Sequence, residues 1–240
     1  MTDTTLPQRP DIVLDCRQVS KIFTAEGREP LTVLADVTFA VRRGEVALIT
    51  GRSGAGKSTL MSLLAGLDRP TAGEVHLDDL RMDCLADATL ANFRRARIGL
   101  IFQSFNLLPS WTAYENIEAA LLHSRLGAAA RKDKVLALMD SLGITRYADH
   151  LPAELSTGQQ QRVAVARTLI NNPSLILADE PTGDVDPETA GEILDLILAP
   201  VRAGCATMVV TTHGGFPPEV ANSVYRLKDG ILALQEAAAV

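Results

Sequence analysis

The chain has 240 residues, 47% of them hydrophobic, so it carries enough apolar material for a sizeable core and is not a disordered polypeptide. With 23 Lys and Arg against 29 Asp and Glu, the formal net charge is −6, which leaves no overall electrostatic footprint for nucleic acid and disfavours obligate DNA wrapping. Cys16, Cys84 and Cys205 are scattered and form no CxxC, which excludes a disulfide framework or a zinc site of ordinary spacing and suits a reducing compartment.

Residues Met1 to Pro10 are polar and lack the basic start and apolar core of a signal peptide. Ile12, Leu14 and Cys16, then Val37, Phe39 and Val41, alternate with more polar neighbours, which predicts half-buried antiparallel strands. Val46 to Thr50 is a short apolar run followed by glycines, the pattern of a strand buried on both faces. A helix is expected over Lys57 to Leu67, a strand over Val75 to Leu77, and a further apolar strand over Ile98 to Phe102. From Thr112 the pattern turns helical: Thr112 with Glu115 forms a capping box, and Val135, Leu138, Met139 and Leu142 recur at helix spacing before Gly143. This predicts an all-helical subdomain at about residues 104–157. Beyond it follow a strand over Leu175 to Ala178, a helix opened by Asp186 and Pro187 and carrying Ile193, Ile197 and Val201, and a strand over Thr207 to Thr212. Pro200 is expected to bend or shorten that helix. Alternating strands and helices of this kind build a mainly parallel sheet in an α/β fold. No stretch is apolar for the roughly 18 residues a membrane-spanning helix needs. The only low-complexity feature is a weak Ala-rich tail at Ala237 to Ala239.

Gly51-Arg52-Ser53-Gly54-Ala55-Gly56-Lys57-Ser58 matches G-x-x-x-x-G-K-[ST] and stands between a buried strand and a helix start, as a phosphate-binding loop requires. Its glycines let backbone N–H groups curl around a phosphate, and the helix adds its positive dipole end. Lys57 is then expected to reach the β- and γ-phosphates and the Ser58 hydroxyl to hold Mg²⁺. Leu175 to Glu180 is an apolar strand ending in two carboxylates at the sheet edge where such folds bind ligands. Alone, Asp179-Glu180 reads as a solvated strand end; beside the loop, Asp179 serves the metal and Glu180 orients and activates water.

Leu155-Ser156-Thr157-Gly158-Gln159 resembles the signature of the ATP-binding cassette (ABC) ATPases and precedes the Asp179-Glu180 strand. The resemblance covers practically the whole chain, since the phosphate loop, Gln103, the signature, Asp179-Glu180, the Asp186 loop and His213 fall in the family's order. Ile101 to Pro109 and Ala178 to Gly183 are similar to the branch serving lipoprotein release, macrolide-type export and bacterial cell division. The resemblance implies a P-loop NTPase of ABC type: a RecA-like parallel-sheet core, an N-terminal antiparallel β-subdomain and a helical signature subdomain. It implies ATP and Mg²⁺ as ligands, with Glu180, His213 and Gln103 catalytic and Ser58, Gln103 and Asp179 at the metal. The nucleotide set is Phe23, Gly51, Ser53, Gly54, Ala55, Gly56, Lys57, Ser58, Thr59, Ser156, Gly158, Gln159 and Asp186. Ser156 and Gly158 stand at a helix start, whose free N–H groups hold an anion; in the family that anion is the γ-phosphate of ATP bound to the other subunit. A homodimer closing around two ATPs is therefore implied, working with integral-membrane permease subunits at the cytoplasmic face of the membrane, with no nucleic acid expected. Bland readings accompany several of these residues: Asp186 as a helix N-cap, Phe23 as a core aromatic, Gln103 and His213 as ordinary surface residues.

Three departures from the family pattern stand out, one of them Asp184-Val185 in the loop before Asp186. Thr157 replaces the usual glycine and adds a β-branched side chain beside the phosphate-facing turn, where activity is expected to survive. Gly214-Gly215 follow His213 where an acidic residue is common, which is expected to loosen that switch. The alternative function, a soluble ABC-type ATPase acting on nucleic acid or ribosomes, fits less well: Ser156 follows Gln103 by only 53 positions, with no room for a long coiled coil, and the net charge is negative. A P-loop kinase or GTPase would leave Leu155 to Gln159 unused.

Overall fold

A computed structural model describes residues 11–27 and 29–237. The reading of Met1 to Pro10 and the Ala238-Ala239 part of the tail lie outside the described residues.

Strands β1 (Ile12–Phe23) and β2 (Leu31–Arg42) pair antiparallel, and β3 (Val46–Thr50) leads through a loop to α1 (Lys57–Leu64). Helix α1 stops three residues short of Leu67 because Gly66 turns left-handed at φ +62° and donates to the Leu63 carbonyl. Then come β4 (Ala72–Leu77), the two-residue β5 (Leu80–Arg81), α2 (Asp87–Arg97) and β6 (Ile98–Ile101). Helices α3 (Ala113–Glu118), α4 (Ala128–Ser141) and α5 (Thr157–Leu169) follow, with β7 (Leu175–Asp179), α6 (Pro187–Arg202), β8 (Thr207–Thr212), β9 (Ser223–Lys228) and β10 (Ile231–Ala237) completing the chain. Pro200 sits in the last turn of α6, where it neither breaks the helix nor keeps it from reaching Arg202.

Two sheets result. The first is antiparallel, in the order β2-β1-β4-β5; the second runs β10-β9-β3-β8-β7-β6, parallel throughout except for the β9-β10 hairpin. Strands β3, β7 and β8, apolar apart from their threonines and the terminal Asp179, are buried on both faces because each face has its own cover. One face packs with α1 against the antiparallel sheet, through Ile49, Leu60, Leu64, Leu177 and Val209; the other packs on α6 through Leu48, Ile176, Ile193, Ile197 and Val210. A third cluster is helical, joining Ala113 and Ile117 of α3, Val135 and Met139 of α4, and Val163 and Ala166 of α5. The predicted Thr112–Glu115 capping box opens α3. Helix α5 belongs to two clusters, since its Val165 packs on the parallel sheet while Val163 faces the helices. It is thus the seam between them.

Cys16 is buried, and burial, followed by the neighbouring Asp15 charge, pushes its thiol well up, so it stays protonated and inert. Cys84 and Cys205 are exposed and free.

Candidate functional site

The loop from Gly51 to Gly56 leaves the carboxyl end of β3, and its shape depends on glycine at particular places. Gly56 caps α1 at φ +102°, and a Cβ there would lie 3.0 Å from the Val33 carbonyl oxygen, so β2 closes on the loop at this point. A Cβ on Gly51 would lie 2.6 Å from the Leu227 carbonyl oxygen, which presses the other side of the loop on β9. Lys57 is buried, and its Nζ donates to the Gly51 carbonyl at 2.8 Å while lying 3.8 Å from Glu180 Oε1.

Asp179 ends β7 next to this loop, and Glu180 follows it directly. The Ser58 hydroxyl donates to Asp179 Oδ2 at 2.9 Å and the Thr211 hydroxyl to Oδ1 at 2.6 Å. Glu180 turns left-handed at φ +49°, a conformation uncommon outside glycine, and is only 8% exposed. His213 Nδ1 is 2.7 Å from its Oε1, and the Thr212 hydroxyl donates to Oε2 at 3.1 Å. A cavity of about 490 Å³ is lined by Ser53, Gly54, Gly56, Lys57, Ser58, Thr59, Gln103, Asp179, Glu180 and His213, together with Val33. Gly51, Ser53, Gly54 and Ala55 also line an adjoining cavity of about 550 Å³ that reaches Arg226, Lys228, Asp229 and Gln235 of the β9-β10 hairpin.

Phe23, Ser156, Gly158, Gln159 and Asp186 line neither cavity. Phe23 is 45% exposed beneath Lys21 Nζ, 5.0 Å from the ring centroid, so it is not a core aromatic. Ser156 caps α5: its hydroxyl accepts from Gln159 N–H at 3.3 Å, and Gln159 Oε1 accepts from Ser156 N–H at 2.8 Å. Thr157 is exposed at the first helical position and leaves that box intact.

Gly158 packs on Thr189 of α6, where a Cβ would lie 2.7 Å from the Thr189 Cγ2. Thr189 is in turn fixed, its hydroxyl donating to Asp186 Oδ2 at 2.6 Å and its N–H to Oδ1 at 3.0 Å. Gly158 and Asp186, both in the expected nucleotide set, therefore meet through one threonine. Gly158→Ala is expected to cost about 1–3 kcal/mol of stability, because the pinned, β-branched Thr189 must move, and thermal unfolding would read it. The Thr189 hydroxyl and backbone N–H groups hold the Asp186 carboxyl below the usual carboxylate range. A depressed folded-state pKa contributes stability above the ordinary carboxylate value and loses it only as pH falls through the lower one, so the α6 cap should persist into mild acid. An Asp186 side-chain NMR titration checks this, expected to show a midpoint below that of an unstructured peptide.

Helix α5 also ties the site loops together. Gln161, buried, donates to the Pro181 carbonyl at 2.5 Å, and Arg167 donates at 2.6 Å to each of the Phe105 and Asn106 carbonyls, in left-handed residues just past Gln103. Thr211, Thr212, Gln161, Arg167 and the hairpin residues Arg226 and Lys228 were not marked by any sequence motif. The hairpin alone had a signal, Asp229-Gly230, the dipeptide of a two-residue turn, here with both φ angles positive.

The family model described as ABC transporter matches residues 34–183. YtrE, an ABC transporter ATP-binding protein of Bacillus subtilis (strain 168), is 43% identical over 223 residues, 92% of this chain and 96% of its own length. The lipoprotein-releasing system ATP-binding protein LolD of Xanthomonas oryzae pv. oryzae (strain MAFF 311018) is 42% identical over 86% of this chain and 84% of its own. The ATP-binding cassette MJ0796, solved as a dimer in a post-hydrolysis state with ADP and Pi, superposes with a TM-score of 0.86 at 36% identity, covering 95% of this chain and 99% of that one. A matched model spanning well over half the residues, relatives matched along nearly their full lengths and a shared fold leave one assignment: this chain is an ATP-binding domain of the ABC transporter family.

Proposed function

We propose that the chain hydrolyses ATP as the engine of a transporter, working as a homodimer on a separate membrane permease. The observation that carries this reading is the convergence of Lys57, Ser58, Asp179, Glu180, Gln103 and His213 on one cavity at the carboxyl edge of the parallel sheet. Among the described residues, Lys57 is the only Lys or Arg lining that cavity, and its buried Nζ suits a phosphate oxygen. The Ser58 hydroxyl and Asp179 carboxylate, 2.9 Å apart, are hard oxygen donors of the kind Mg²⁺ takes, and Gln103 lines the same cavity. Bound there, Mg²⁺ would neutralise charge on the β- and γ-phosphates.

Glu180 accepts the proton of a water whose oxygen attacks the γ-phosphorus as the bond to the ADP oxygen breaks. His213, exposed beside it, reaches the γ-phosphate, and Phe23 supplies a face for the adenine. Ser156, Gly158 and Asp186 lie outside their own chain's cavities, which is where residues serving a partner's nucleotide would be found. The LolD relative is an ATP-binding protein of a releasing system, and MJ0796 was solved as a dimer, which supports the permease and the pairing. No helix among the described residues is long and apolar enough to cross a membrane, so attachment at the cytoplasmic face would run through the permease, with Gln103 carrying the signal.

Light scattering and phosphate release on the purified chain test this together. ATP with Mg²⁺, but not ADP, is expected to drive pairing, followed by release of inorganic phosphate. A chain that neither pairs nor hydrolyses, even with a cognate permease, would overturn the proposal.

A further inference from the structure

The dipeptide Gly214-Gly215, which departs from the family pattern, has a use in this fold. Gly214 adopts φ +147°, a region that L side chains rarely enter, and both Gly214 N–H and Gly215 N–H donate to the Thr212 hydroxyl oxygen at 3.1 Å. A hydroxyl has two acceptor sites and one proton. With both acceptor sites filled, the Thr212 proton goes to its remaining partner, Glu180 Oε2, 3.1 Å away. Thr212 is 1% exposed, so no solvent competes for that proton. The same two loops are fastened a second time by the Thr182 hydroxyl, which donates to the Gly215 carbonyl at 3.3 Å.

We propose that Thr212 is a positioning residue for Glu180: aimed by the Gly214-Gly215 turn, it holds the carboxylate by Oε2 and leaves Oε1 as the oxygen presented to the attacking water. The other Oε1 neighbours do not block that role. His213 is an exposed ring that can turn away, whereas Lys57 Nζ is held by Gly51 and lies 3.8 Å off. The left-handed backbone of Glu180 makes the hold necessary, since a strained strand end with a free carboxylate has several orientations and only one meets a water at the γ-phosphate. The two glycines thus tighten the hold on Glu180, whereas the loosening expected from sequence concerns His213 itself.

The inference rests on the hydrolytic reading, and the experiment separates them. Wild-type turnover tests that reading alone. Thr212→Val keeps shape and removes the proton; it is expected to lower kcat at least about tenfold with KM for ATP within about twofold, because ground-state binding belongs to the phosphate loop. Thr212→Ser should recover most of the rate. In the Glu180→Gln background, Thr212→Val should add little, because it acts through that carboxylate. Gly214→Ala, at an exposed position with open space for a Cβ, unsettles the turn without threatening the fold and should lower kcat in the same way; it decides the matter if Thr212→Val does not fold. An active wild type with kcat unchanged in the folded variants, or a Thr212→Val loss that multiplies fully with Glu180→Gln, would overturn the proposal and leave the hydrolytic reading standing.

Discussion

Glu180→Gln should slow ATP turnover by about 10²–10⁴-fold, the usual worth of a positioned general base, while nucleotide binding is retained. The amide keeps the size of the side chain and can still accept from Thr212, so the loop after β7 has no cause to rearrange. What it cannot do is take a proton. Lys57 stays where it is, because its closest partner is the Gly51 carbonyl at 2.8 Å and the Glu180 oxygen is a full ångström farther. Phosphate contacts are therefore intact while the chemical step is stalled, and the ATP-bound pair should accumulate. Single-turnover phosphate release and size-exclusion chromatography in ATP read the two effects separately. Near-normal turnover in this variant would reject Glu180 as the base, and normal ATP binding beside it would shift attention to Gln103 or His213.

The parts legible in sequence were those whose meaning is local. Gly51 to Ser58 announces itself because strand, loop and helix are consecutive, and the structure has the break at Gly56 where the pattern requires it. The Thr112 and Asp186 caps were readable for the same reason: donor and acceptor lie within three residues. The grip on Glu180 was not readable, since Thr212 lies 32 positions away and nothing in a Thr-Thr-His-Gly-Gly run says that its hydroxyl is filled by the next turn. Gly158 is instructive in another way. The family resemblance implies a phosphate for it to meet, and in the folded chain its missing side chain admits Thr189, so a packing requirement stands beside the proposed functional one. Strands β9 and β10 escaped because Ser223–Lys228 has its faces unevenly covered, with only Leu227 fully buried, and the alternation that marks a strand is weak. Helix α5 exposes a limit of subdomain boundaries drawn from periodicity: a helix with apolar residues on two faces belongs to both sides of the seam.

Lys57→Ala should weaken ATP binding by roughly 10- to 150-fold, which corresponds to losing a charge-assisted contact of about 1.5–3 kcal/mol. Placement favours a large effect, since Nζ sits in a buried slot where solvent screens little and, among the described residues, no second Lys or Arg lines the 490 Å³ cavity. With the proposed reach to both the β- and γ-phosphates, ADP, which lacks the outer group, should lose less than ATP. The variant also strips Glu180 of its nearby ammonium, but Thr212 and His213 remain as partners, so the carboxylate is not orphaned and the chain should fold. Lys57→Arg separates charge from fit: a planar guanidinium cannot copy a compact ammonium donating to the Gly51 carbonyl, and it should not restore affinity. Equilibrium binding of a fluorescent ATP analogue, with unfolding curves as the check on folding, measures all three. Unchanged affinity in folded Lys57→Ala would remove the phosphate from this loop, and with it the reason for Asp179 and Glu180 to stand beside it.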